Sequence, residues 1–172
     1  TGLDYYRLNG RSIADMAWQR ERFAVHIQAA LQCDLPLVVH TRSSAEDTLA
    51  MLKEQGAGRA CGVFHCFTET VDVARAALDL GFHISFSGIV TFKNAETLRD
   101  VARMVPADRL LIETDSPYLA PVPYRGKTNS PAYVPHVAAA VAKARGCTVE
   151  EVGRQTTGNF ETLFRVQVPG IP

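Results

Sequence analysis

Short apolar runs that end on polar residues alternate with amphipathic stretches along the whole chain. Leu37-Val38-Val39-His40, Gly62-Val63-Phe64-His65 and Leu110-Leu111-Ile112-Glu113-Thr114-Asp115 are short, partly β-branched and bounded by turn or helix signals, so they read as buried parallel strands. The pattern predicts strands over 35–41, 60–67, 83–90 and 109–114. Between them it predicts helices. The first covers 13–32, with Trp18, Phe23, Ile27 and Leu31 on or beside one face. Ser44 with Asp47 is a capping-box signature for a helix ending near Gln55, with Gly56 as its stop. A helix over 71–80 should stop at Gly81, and Asn94 should cap one that reaches Met104. Pro131 suits the first turn of a helix to Arg145, with Gly146 after it. Thr148 with Glu151 opens a final helix, which Gly153 and Gly158 should weaken or break.

Strand and helix thus recur at about one βα unit per ~25 residues, and parallel strands joined by helices imply right-handed crossovers. Periodicity does not separate a barrel from an open doubly wound sheet. Polar groups at the ends of several strands favour the (β/α) barrel, and no G-x-G-x-x-G loop supports a dinucleotide fold. The expected class is therefore α/β, a TIM-like barrel, as one domain without an interdomain linker.

Composition narrows the partners. Acidic and basic residues number 18 each, which argues against coating nucleic acid through a broad basic face but leaves room for gripping a few phosphates at one site. No apolar stretch approaches the ~18 residues of a membrane span, and nothing resembles a signal peptide. Cys33, Cys61, Cys66 and Cys147 form no C-x-x-C pair and read as reduced thiols of a cytoplasmic protein. Alternation should turn Cys66 away from the face of His65 and pack it under a helix.

His40, His65 and Asp115 close three predicted strands, and imidazole and carboxylate are ligand types for Zn²⁺, Mn²⁺ and related ions. Glu113 lies two residues before Asp115, hence on its strand face, either supporting a ligand or joining a buried hydrogen-bond network. His26 and His136 fall on helices outside the barrel, and His83 opens its strand at the end away from the mouth. Surface or packing roles are expected for all three.

Gly2-Leu3-Asp4-Tyr5-Tyr6, Val39-His40-Thr41-Arg42, His65-Cys66-Phe67-Thr68, the segment from Ile84 to Phe92 and the segment from Glu113 to Pro121 resemble, in order, the signature segments of TatD-family metal-dependent hydrolases. The resemblance implies an amidohydrolase-superfamily barrel with a divalent metal pair (Mg, Mn or Zn) and hydrolysis of nucleic-acid phosphodiesters, often from 3′ ends of single strands. By position, His40 and His65 match histidines that help hold one metal. Asp115 matches the last-strand carboxylate that binds the other and serves the attacking water. The family's first-strand His-x-His pair has no counterpart here, and its bridging glutamate would precede Thr1. The expectation is a chain running from the end of the fourth strand through the eighth, with some 80 residues of a barrel of about 250 missing.

Arg42 follows a ligand strand, and Arg125 and Lys127 lie in the long loop after Asp115, where phosphate could be met. Tyr118 in that loop could stack on a terminal base. Solvated loop charges and a loop-packing ring are the alternatives. Two other functions stay open: hydrolysis of a different ester or amide at the same metals, and an inactive half-barrel that self-associates through its open strand edges.

Overall fold

Among the described residues, five parallel strands pair in the order of the chain: β1 (Gly2–Asp4), β2 (Leu37–Arg42), β3 (Gly62–Phe64), β4 (His83–Phe86) and β5 (Leu110–Ile112). Among the described residues, six α-helices follow or join them: α1 (Ala17–Cys33), α2 (Ala45–Gly56), α3 (Val71–Asp79), α4 (Glu96–Met104), α5 (Val134–Arg145) and α6 (Val149–Phe164). The structure, a computed structural model, describes residues 1–169. Among these no helix is long and apolar enough to cross a membrane.

Alternation sorts the strand residues between two faces. On β2, Leu37, Val39 and Thr41 are buried, while Val38, His40 and Arg42 point to the other side. The buried face meets Phe23 and Ile27 of α1, Leu52 of α2, Ala74 and Ala77 of α3 and Val101 of α4 in one core. Phe23, Phe64, Phe67, Phe82 and Phe86 are fully enclosed there. Each such ring removed from water contributes about 1.5–3 kcal/mol, which makes the aromatic set the main local anchor of the sheet. On the opposite face, Val63 and Leu111 pack with Leu163 and Phe164 from the end of α6.

The predicted elements are present, with differences that have physical causes. β1 carries too few residues to show a period. It fits against β2 because Gly2 has no side chain: a Cβ there would lie 2.0 Å from the His40 carbonyl oxygen, and its φ is +120°. The expected strand over 83–90 stops at Phe86, and Gly88–Thr91 form a 3₁₀ turn. The loop after β5 crosses at this point. A Cβ on Gly88 would meet the Leu119 carbonyl at 2.0 Å, and the Val122 amide donates to Thr91 Oγ1 at 2.9 Å.

Caps are also redirected by tertiary partners. Ser44 precedes α2 without capping it, and its hydroxyl donates instead to the Leu3 carbonyl at 2.8 Å. Asp47 accepts from the Tyr5 hydroxyl at 2.7 Å, so both signature residues tie α2 to the end of β1. Ala57, not Gly56, takes the left-handed position that ends this helix. Ala95 rather than Asn94 precedes α4, with no side-chain cap. Thr148 and Glu151 do form the expected reciprocal cap. Gly153 and Gly158 do not break α6: their propensity cost of about 1 kcal/mol each is offset by buried Val152, Thr156 and Leu163. Asn159 Nδ2 adds hydrogen bonds to the Ala107 and Leu110 carbonyls, both at 2.8 Å.

Candidate metal centre

The strand register brings the polar strand ends together. Gly2 is level with His40, Val38 with Val63, and Ser85 with Leu111. Two residues further along, alternation sets Asp4, His65 and Glu113 on the same face as His40, away from the main core. His40 Nε2 lies 3.0 Å from Asp4 Oδ2, and His65 Nδ1 lies 2.9 Å from Glu113 Oε1. The two imidazole centroids are 5.8 Å apart. Among the described residues no hydrogen bond engages His40 Nδ1 or His65 Nε2. This suits metal-ligating histidines, whose second nitrogen is commonly fixed by a carboxylate.

Asp115 completes the group from beyond β5. Its φ of +57° is unusual for a residue with a side chain, and alternation no longer governs where it points. The loop holds it in place: Asn129 Nδ2 donates to the Thr114 carbonyl at 2.7 Å and the Tyr118 carbonyl at 2.6 Å. One ligand atom from each of His65, Glu113 and Asp115 falls within 4.8 Å of the others, close enough to hold a metal ion. Imidazole nitrogen with carboxylate oxygen is a donor set that fits zinc or manganese.

Charge is finely set here. The Glu113 hydrogen bond raises the pKa of His65 against the opposing effect of burial. Burial acts to raise Glu113, yet hydrogen bonds from His65, Ser85 and the Cys66 amide outweigh it and hold the carboxyl below its usual value. Burial pushes Asp115 up, opposed by His65 and reinforced by Glu113. A raised carboxyl is a better proton acceptor than an exposed one.

The His65–Glu113 pair leads to a prediction for the metal-free protein. A raised His65 contributes stability that is complete below 6.5 and is lost as pH climbs through its folded value. A depressed Glu113 contributes stability that is present above 4.5 and is lost as pH falls through its folded value. Thermal midpoints of chelator-treated protein should therefore gain most from this pair between those limits. Glu113→Gln should flatten the dependence. The same wild-type-to-variant difference at every pH would dismiss the ion pair as its source.

Cys66 departs from expectation. The strand ends at Phe64 and Cys66 adopts φ +46°, so it does not alternate away under a helix. Its sulfur lies 3.2 Å from Ser87 Oγ and 3.9 Å from Asp115 Oδ2. Burial pushes the thiol up to about 12, which leaves it protonated and a poor ligand.

A cleft of 780 Å³ opens over these groups, lined by His40, His65, Cys66 and Asp115 together with Arg7, Arg42 and Tyr118. The Arg42 guanidinium sits 3.7 Å from the centroid of the Tyr6 ring. Tyr118 is 70% exposed and free to meet a ligand. Arg125 is elsewhere: it lines an adjoining cleft and stacks on Phe92 at 3.8 Å. Lys127 lines neither cleft and lies 5.9 Å from the Tyr124 ring centroid. Loop membership does not distinguish these cations, because the loop turns back over β4. Arg7 and Asp4 escape a reading of the sequence; the only signal for them is their place in or beside the Gly2–Tyr6 motif.

The remaining histidines stay outside the site. His26 is exposed on α1 and contacts Thr1 Oγ1 at 2.5 Å. His136 meets the Tyr124 ring edge-on at 5.2 Å. His83 is buried at the start of β4, and its Nδ1 has no hydrogen-bond partner among the described residues; burial lowers its pKa.

Known proteins resemble this chain along nearly its whole length. The sequence profile of the TatD-related DNase family matches residues 1–165. The chain is 54% identical over 166 residues to an uncharacterized metal-dependent hydrolase of Escherichia coli K12, YcfH, covering 96% of this chain and 61% of that protein. It is 33% identical over 175 residues to the 3′-5′ ssDNA/RNA exonuclease TatD of Klebsiella pneumoniae, covering 99% of this chain and 65% of that one. The crystal structure of the TatD homologue YJJV from E. coli superposes with a TM-score of 0.83 at 28% identity, covering 96% of this chain and 62% of that chain. The chain thus spans less than two thirds of the length of these relatives, and over that span it belongs to the TatD-related DNase family.

Proposed function

We propose that this protein takes part in metal-dependent hydrolysis of nucleic-acid phosphodiesters, acting at the 3′ ends of single strands. The observation that carries the reading is the convergence of His40, His65 and Asp115, from three strand ends, in one cleft with Arg7, Arg42 and an exposed tyrosine. The family likeness and the activity in the name of the Klebsiella relative support it. We also read the five strands as consecutive strands of a (β/α) barrel, the fourth to the eighth, whose catalytic groups lie at the C-terminal ends.

In this reading His40 and His65 would hold one divalent ion and Asp115 a second. Such ions supply charge neutralisation at the phosphate and acidify water. The chain's own groups do the rest. Asp4 and Glu113 orient the two imidazoles through their second nitrogens. Arg42 and Arg7 meet the anionic phosphate, and Tyr118 stacks on the terminal base. The Asp115 carboxylate takes the proton of the attacking water.

The test uses 5′-labelled single-stranded DNA and RNA with Mg²⁺, Mn²⁺ or Zn²⁺. Stepwise shortening from the 3′ end, abolished by chelator, is expected. Turnover of aminoacyl esters or amides with the oligonucleotides left intact would replace this reading with the other hydrolase chemistry.

A further inference from the structure

We propose that the cleft adjoining the metal centre is a second subsite, which holds the nucleotides upstream of the one being cleaved. In it Lys93 and Arg125 bind backbone phosphates, and the Phe92–Arg125 stack receives a base. This inference rests on the nuclease reading above and extends it.

The two clefts adjoin, since Thr68 and Ile89 line both. The second is built by the segments that follow β3, β4 and β5, so both open at the same end of the sheet. Its volume of 650 Å³ lies within the range of ligand pockets, ~300–1,000 Å³. A strand with its 3′ end beside Asp115 would therefore have an adjoining cleft to extend into.

The chemistry of the lining matches a polynucleotide. Lys93 and Arg125 are exposed, and neither forms an ion pair among the described residues. Arg103, exposed on α4, is by contrast paired with Glu96. The Arg125 guanidinium lies 3.8 Å from the Phe92 centroid, which holds it against the wall while its N–H edge remains available to a phosphate. Ile89, Phe92 and Val122 offer apolar surface to a base, and Asn94 and Thr97 add neutral polar groups. Glu69 is the one carboxylate in the lining among the described residues. The two cations outnumber it, and its half-buried side chain is displaced upward in pKa by burial. In a chain with no net charge, two unmatched cations beside an aromatic ring are a local anion-and-base site rather than part of a general basic surface.

The experiment compares wild type with Lys93→Ala/Arg125→Ala on a single-stranded dinucleotide and hexanucleotide, at several salt concentrations. The loss in kcat/KM should grow with length, reaching about tenfold or more on the hexanucleotide, because the variant removes phosphate binding and base stacking together. The slope of log affinity against log salt should flatten by about 1.4, at ~0.7 per phosphate neutralised on single strands. An equal loss at both lengths, no loss, or an unchanged salt slope would overturn the subsite. Arg125→Lys should keep most of the salt slope while losing part of the length effect. Absence of hydrolysis by wild type on either substrate would instead defeat the nuclease reading. In that case anisotropy with a non-hydrolysable phosphorothioate hexanucleotide still decides, because equal binding by wild type and double variant overturns the subsite.

Discussion

Replacing Asp115 with alanine is expected to lower chelator-sensitive oligonucleotide hydrolysis about 10³-fold, in the ~10²–10⁴ range of a lost general base that also helps hold a metal. Asp115 is set beside His65 and Glu113 by a loop that Asn129 pins from two sides, and it faces into the cleft rather than into the core. Among the described residues, the 3.9 Å approach of Cys66 is the one hydrogen-bond contact of its carboxylate. Removing the carboxylate should therefore leave the fold intact, which circular dichroism and the unfolding midpoint would record. Asp115→Asn separates the two duties, because an amide keeps the volume and one oxygen but accepts no proton at neutral pH. The loss should fall on kcat for both variants, with metal affinity weakened more in the alanine form. Wild-type kcat in a metal-replete Asp115→Ala protein would sink the proposed role.

Phe64→Ala should cost about 3–5 kcal/mol of stability, the range for truncating an enclosed aromatic ring. Phe64 is fully buried on β3, with Phe82 edge-on at 5.5 Å and Phe67 at 6.5 Å. Its neighbours belong to strands and helices that are fixed by their own packing, so the void cannot close by a local shift. The urea midpoint should move accordingly, and Tm should fall by roughly 6–20 °C for a domain of this size. The effect should reach the site, since Phe64 directly precedes His65 and anchors the strand end that presents it. Val38→Ala is the contrast: Val38 is 45% exposed on the other face and should cost far less. Similar midpoints for the two variants would mean that the core is not organised around the aromatic set.

The legible strands are those whose apolar runs are long enough to carry a period. β2 to β5 lie where the pattern puts them, and the ends of α1, α3 and α5 fall within a few residues of those expected. β1 escapes the pattern, because three residues, one of them glycine, carry almost no periodic signal. Capping is legible where the partners are local, as with Thr148 and Glu151. It fails at Ser44 and Asn94. Ser44 is taken by β1, a partner distant in the chain, and Asn94 sits one residue too early for a helix preceded by Ala95.

His40 and His65 can be read directly as site candidates, since a strand end in a parallel sheet faces the mouth, whereas Asp115 lies beyond β5 and its φ of +57° and the loop pinned by Asn129 set where it points. For Glu113 the sequence allows two roles, and the structure makes it the partner of His65. Asp4, Arg7 and Cys66 are decided by register and by a positive φ at the strand end, neither of which has a sequence period. The separation of Arg125 and Lys127 from the metal cleft depends on the return path of a loop held by Thr91 and Asn129. By itself, then, the sequence determined the repeating βα order, the candidate residues at the strand ends and the family, because those follow from local periodicity and short motifs. Tertiary structure alone decided which carboxylate orients which histidine and which cations share a cleft. The two carboxylate–imidazole pairs join residues 36 and 48 positions apart in the chain, and only the pairing of strands brings them within hydrogen-bond distance.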